Sequence, residues 1–190
     1  PHLRSPVQIA WADAVARDVD NFRAVLDWAI ETVSPEHAYR LIAPFTVQGL
    51  PIAYLAMDWA QAAIGVRGGE DDPRFVVVAA WAAWGETMGS DLDRAADFIT
   101  VAERAQDGSG APDPLLLRSR AVAAYFGGDV ERAIEEARGW VTVVRASEDQ
   151  FGLADALNFL GVVLLASEPD GARQAFDEAL RVARADGIPS

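Results

Sequence analysis

The sequence predicts an all-α fold of antiparallel helical hairpins stacked as a solenoid, and three observations predict it. One phrase recurs: Ser90-Asp91-Leu92-Asp93-Arg94-Ala95 returns as Gly128-Asp129-Val130-Glu131-Arg132-Ala133, and more loosely as Pro169-Asp170-Gly171-Ala172. The anchor alanines Ala95, Ala133 and Ala172 lie 38 and 39 residues apart, the interval of a helical-hairpin repeat. Apolar residues follow the helical period almost throughout, with no alternating strand pattern. Small residues suit the anchor positions because paired helices cross closely there; a larger side chain at Ala133 would push them apart.

The first long segment runs from about Val7 to Val33, as one helix or two. Phe22, Val25, Leu26, Trp28 (one step aside), Ala29 and Val33 form its expected buried stripe. Ser34 is placed to cap the next helix and Pro35 to open it. That helix carries Ala38, Leu41, Ile42 and Phe45 and is expected to stop near Gly49. Pro51 opens a third helix with Leu55, Trp59 and Ala63 inward, which stops at Gly65 to Gly69. Gly68-Gly69-Glu70-Asp71-Asp72-Pro73 is a breaker cluster, not a domain boundary, since the apolar pattern resumes at once. Three hairpins follow: Arg74–Gly89 with Leu92–Gln106, Pro114–Phe126 with Val130–Ser147, and Phe151–Ala166 with Asp170–Asp186. Asp107 to Pro112 reads as a flexible loop, and the hairpin turns carry Asp or Ser in N-capping positions. The expected organisation is one domain over residues 1–190, with divergent helices over about 1–70 and three regular hairpins over 74–190.

Composition narrows the chemistry. The chain is 190 residues, 51% hydrophobic and 24% charged, which suits a helical protein with a sizeable core. Its longest apolar run, Phe75 to Trp84, falls far short of the ~18 residues that span a bilayer. The opening Pro1-His2-Leu3-Arg4-Ser5-Pro6 has no signal-peptide pattern and no initiating Met, so a fragment of a larger cytoplasmic protein is expected. A net charge of −13 disfavours phosphate backbones and anionic lipid, so neither direct nucleic-acid nor membrane binding is expected. No cysteine is present, and all 16 basic residues are Arg. Without Lys there is no P-loop lysine, kinase lysine or Schiff-base chemistry. Arginine replacing lysine throughout points to a high-GC genome, an actinobacterium or similar.

Catalytic signals are sparse. Of two histidines, His2 lies at the start and His37 reads as a solvent-facing residue in a helix's first turn. There is no HExxH, no GxSxG elbow and no GxGxxG after a strand, so no metal and no cofactor is expected. The same-face pairs Glu131/Glu135 and Asp93/Asp97 read as a solvated face, and Glu70-Asp71-Asp72 as a polar turn without a calcium loop's spacing. The six tryptophans are the more informative surplus. Trp81 and Trp84, three apart, cannot both address the same neighbour, so one is a candidate for a ligand groove. Counting from the anchors, that groove takes Trp84, Arg118, Tyr125 and Asn158, with Arg118 suited to a carboxylate or phosphate. The competing reading is that Arg118 and Arg120 flank acidic side chains of neighbouring helices.

The stretch Asp20-Asn21-Phe22-Arg23-Ala24-Val25-Leu26-Asp27-Trp28-Ala29-Ile30 resembles the entry to the tetratricopeptide-like (TPR-like) regions of large bacterial regulators. These include LuxR-type ATPase regulators, antibiotic-regulatory proteins and chains carrying adenylate cyclase domains. Phe45, Gly49 and Trp59, then the turns at Asp91 and Asp129, extend the resemblance over most of the chain from about Val19. The third helix departs from the pattern: an acidic-Gly pair before Trp59 is absent, with Leu55-Ala56 nearby instead. The resemblance implies a right-handed TPR-like solenoid in a multidomain regulator, with an ATPase-like module N-terminal and a DNA-binding or cyclase domain elsewhere. The segment is then expected to be a non-catalytic interaction or sensor module that binds a protein, a peptide or a neighbouring domain. The alternatives are a scaffold that packs on its own neighbour or forms a homodimer, and an all-helical enzyme.

Overall fold

The computed structural model describes residues 15–46, 53–106 and 112–185. Across these the regular structure is helical, without a strand. The chain forms two compact units, Pro1–Asp107 and Gly108–Ser190. The expected stops and starts at Gly49 and Pro51, and most of the Asp107 to Pro112 loop, lie outside the described residues, as do His2 and Trp11.

The first unit contains α1 (Val19–Glu31), α2 (Pro35–Ile42), α3 (Ala53–Ile64), α4 (Phe75–Met88) and α5 (Leu92–Gln106). Neighbours pack in sequence, α1 on α2, α3 on α4 and α4 on α5, with α1 also reaching α3. Residues 15–17 are helical, and a turn at Asp18 separates them from α1. The buried side of α1 is narrower than the expected stripe. Leu26 and Ala29 are buried and Phe22 half-buried, whereas Val25, Trp28 and Val33 are exposed. Phe22 sets its ring edge against Phe45 and Trp59, joining α1 to α2's end and to α3. Helix α2 stops at Ile42, well before Gly49. Pro44 has no N–H to continue the ladder, so Ala43–Phe45 tightens to a 3-10 turn, while Phe45 stays buried. Ser34 makes no side-chain cap; its hydroxyl bonds His37 Nδ1 at 2.7 Å, and the exposed His37 lies edge-on to Trp28.

Between α3 and α4, Tyr39 of α2 is fully buried, its hydroxyl donating to the Ala63 carbonyl at 3.4 Å. Burial, with the nearby Glu70 and Asp72 charges, pushes the phenol well above its ordinary range. Arg74 donates two side-chain hydrogen bonds to Asp72, at 2.8 and 2.7 Å, which hold that carboxyl below its ordinary value. Burial of Asp72 acts the other way and is outweighed.

The second unit contains α6 (Pro114–Phe126), α7 (Val130–Arg145), α8 (Gln150–Leu164) and α9 (Pro169–Ala185), each packed on the next. Asp113, Asp129 and Asp149 accept backbone N–H bonds from Leu115, Arg132 and Gly152 and so cap α6, α7 and α8, as Asp91 does for α5 through Arg94. Asp113 is the most buried of these caps, and desolvation raises its pKa despite the two N–H groups it accepts. One core gathers Trp140, Val141 and Val144 of α7 with Leu153, Ala156 and Leu157 of α8; another gathers Ala121, Ala133, Ala137 and Val163. The anchors Ala95, Ala133 and Ala172 are all buried. In the last hairpin Gly161 allows the close approach: a Cβ there would sit 2.5 Å from the Phe176 ring.

Three turns share one construction. A residue with positive φ follows the first helix (Val33 at 52°, Ser90 at 68°, Gly128 at 81°), and the next N–H bonds the carbonyl five residues back. Those bonds are Ser34 to Ala29 at 2.8 Å, Asp91 to Glu86 at 2.9 Å and Asp129 to Ala124 at 2.9 Å. The third regular hairpin turns differently, with Glu168 N–H on the Leu164 carbonyl at 2.8 Å. This is why its phrase repeats only loosely.

A left-handed backbone costs a side-chain-bearing residue ~1–2 kcal/mol, most of all a β-branched one. Val33→Gly and Ser90→Gly are therefore each expected to stabilise the chain by ~1 kcal/mol, and Gly128→Val to destabilise it by ~1–2 kcal/mol, in urea titrations. The Asp72 carboxyl contributes stability above its unfolded value near 3.8, which is lost as pH falls through the lower folded value. Asp72→Asn should lower stability at neutral pH and flatten the acid-side loss below about pH 4. An unchanged acid limb would break that link.

Candidate functional site

The candidate residues are set by the first helices of the hairpins. Arg118 of α6 is 5% exposed. Its Nε lies 3.6 Å from an Asp155 carboxylate oxygen on α8, and its guanidinium lies over the Trp140 ring of α7, 5.9 Å from the centroid. Three helices therefore meet on this one side chain. Two positions along, Arg120 donates from Nε to Glu136 of α7 at 2.9 Å and makes a second, shorter contact through its terminal nitrogen. Both arginines flank acidic side chains of neighbouring helices.

Tyr125, the penultimate residue of α6, is 38% exposed; its ring stands edge-on to Phe159 of α8 and to Phe126. Phe159 in turn leans on Trp140, so Tyr125 and Arg118 connect through one aromatic chain. Asn158 is exposed on α8, at the rim of an apolar depression of about 390 Å³ between α8 and α9. Trp84 belongs to the first unit: half-buried on α4, it stacks nearly parallel on the buried Trp81 at 6.4 Å. The structure thus joins Arg118 and Tyr125 through shared packing, and sets Asn158 on a different feature.

Sequence reasoning missed Asp155, Phe159 and Glu136, each the partner of a residue it chose. It also missed a register. Met88, Phe126 and Leu165 each precede their hairpin's anchor alanine by seven residues, and all three are exposed. The recurring phrase carried that signal, because the apolar residue at this offset repeats with the anchors. The carboxylates of Glu131, Glu135, Asp93 and Asp97 are exposed. Among the described residues no group of three His, Cys, Asp or Glu is placed to hold a metal ion, and no helix is long and apolar enough to cross a membrane.

No family model matches the chain, and no curated protein is significantly similar to it.

Truncating Arg118 removes a cation from between Asp155 and Trp140 and leaves the cavity of its stem. Arg118→Ala is expected to lower unfolding free energy by ~1–3 kcal/mol, the partly open Asp155 limiting the loss. A urea midpoint unchanged by that substitution would mean that the three-helix junction contributes nothing.

Proposed function

We propose that this chain is a non-catalytic interaction or sensor module of a multidomain bacterial signalling or transcriptional regulator, built as a right-handed TPR-like stack of hairpins and working in the cytoplasm. The observation that carries this reading is apolar surface which folding leaves uncovered at one hairpin register. Phe126 is 57% and Leu165 56% exposed, with Tyr125 beside Phe126 in sequence. Large rings that present area at low conformational cost make good anchors for a peptide or a protein partner. The shared turn geometry supports the TPR-like arrangement, since a repeated turn sets a repeated hairpin.

A scaffold role is the second reading, favoured by Arg118. A buried arginine committed to Asp155 and Trp140 serves packing rather than a free ligand. In that reading the module packs on a neighbouring ATPase or effector domain.

Peptides selected from a displayed library against the chain test the interaction reading. They are expected to lose at least about tenfold in affinity for the Phe126→Asp variant, a loss of about 1.4 kcal/mol, with melting unchanged because Phe126 is exposed. A library whose binders all ignore that substitution would remove the turn edge as the binding surface.

A further inference from the structure

We propose that the trough between α7 and α9 is a binding site for a short aliphatic dicarboxylate, whose two ends are held by Arg138 and Arg145. On α7, Arg138, Val141, Thr142 and Arg145 follow the i, i+3, i+4, i+7 spacing and share one face. On α9, Gly171, Gln174, Ala175 and Glu178 repeat that spacing. Both helices pack on α8, each antiparallel to it because only a short connection intervenes, so α7 and α9 run parallel. The two faces and Leu157 and Leu160 of α8 line a trough of about 280 Å³. That volume is close to the lower bound of small-molecule sites, ~300 Å³. Its floor and both walls belong to one compact unit.

The trough is apolar in the middle and cationic at its ends. Val141, Leu157 and Ala175 are buried and Leu160 is half-buried. Gly171 leaves room above them: a Cβ there would meet nothing nearer than 3.5 Å. Arg138 and Arg145 stand two turns apart on α7, ~10 Å along its axis. Each reaches the last hairpin through Nη2 alone, Arg138 to both oxygens of Glu168 and Arg145 to one oxygen of Glu178, all at 2.9 Å. The Nη1 and Nε groups of both make no hydrogen bond to another described residue, and the two side chains are 54% and 51% exposed. The glutamates therefore fix the guanidiniums in place while a second edge of each donor fork stays open.

Charge and shape together select the ligand. A guanidinium edge takes a carboxylate in two parallel N–H···O bonds. Two such edges at the ends of an apolar floor match an alkane chain with a carboxylate at each end, whereas a monocarboxylate satisfies only one. The −13 charge of the chain opposes a dianion at long range, and physiological salt screens it beyond about 8 Å. Both forks are half exposed, so each contact is weak and a dissociation constant on the order of 0.1–1 mM is expected. The site shares no residue with the exposed turn edge and does not rest on it.

Titration of the isotope-labelled chain with butanedioate, hexanedioate, octanedioate and decanedioate, to about 10 mM at physiological ionic strength and followed by amide NMR shifts, tests the site. The expected result is saturable shifts centred on Thr142, Leu160 and Gln174. They should be strongest for a diacid of about six to eight carbons, whose carboxylates lie just inside the ~10 Å between the arginines. Arg138→Ala and Arg145→Ala should each weaken binding about tenfold, to the level of hexanoate, with circular dichroism unchanged because both side chains are exposed. Gly171→Leu, which fills the trough and keeps both arginines, should abolish it. Arg173→Ala, exposed on α9 outside the trough, and Phe126→Asp at the turn edge should leave it unaltered. No saturable shift with any diacid overturns the proposal. So does binding that survives both arginine variants, that hexanoate matches in the parent chain, or that Arg173→Ala weakens as much.

Discussion

The hairpins of this chain depend on turning from one helix into the next within three or four residues while the two helices stay in contact. Three of these turns achieve this by placing one residue in the left-handed region, so that the next N–H returns to the carbonyl five residues back. That bond satisfies a carbonyl the helix end would otherwise leave open, and it aims the chain back along its own axis. Close contact then demands small residues where the helices cross, and Ala95, Ala133, Ala121, Ala137 and Gly161 supply them. The turn works even with Val33 and Ser90 in the strained position. The hydrogen bond and the helix packing beyond it therefore outweigh a cost of ~1–2 kcal/mol at such a residue.

Electrostatics follows from a single type of cation. Arginine's planar fork can take a carboxylate in two bonds and lie over an aromatic ring, and both uses occur here. Arg74 holds Asp72 in the first form, and Arg118 joins Asp155 to the Trp140 face in the second. Arg138 and Arg145 of α7 reach Glu168 and Glu178 in the last hairpin, each at 2.9 Å. A protein with 29 acidic and 16 basic residues has few cations to spare. Where they sit in buried positions, they define helix order more than they advertise a binding site.

The hairpin positions were legible because two periods reinforce each other: the helical period within each element and the 38–39-residue spacing of Ala95, Ala133 and Ala172. The caps at the hairpin turns, Asp91 and Asp129, were equally legible, since the capping residue is set by local chemistry. The α1 stripe was read too broadly because periodicity does not report which of several apolar residues a neighbour covers; Trp28 found His37 at the surface instead of a core. Pro44 was overlooked between Ile42 and Gly49, although a proline inside a helical pattern is a stop in itself. Of the candidate site, the side chains were named but not their partners. Asp155 and Phe159 meet Arg118 and Tyr125 only through tertiary packing, which leaves no mark in local sequence.

Exposed apolar residues are ordinary on any protein surface, and one alone asks for no explanation. Met88, Phe126 and Leu165 differ because they occupy one register in three hairpins. Geometry explains their exposure: each closes or just follows the first helix of its hairpin, where the chain has begun to turn away from its partner helix. Geometry does not explain their side chains, because a polar residue would fit equally well at a solvated helix end and would carry no desolvation benefit to lose. Burying such a side chain is worth ~1.5–3 kcal/mol, and folding leaves much of that unrealised at Phe126 and Leu165. Apolar surface withheld from the fold at repeated positions is what an interaction surface requires. It is also why the hairpin register, rather than any catalytic constellation, is the part of this chain that bears on function.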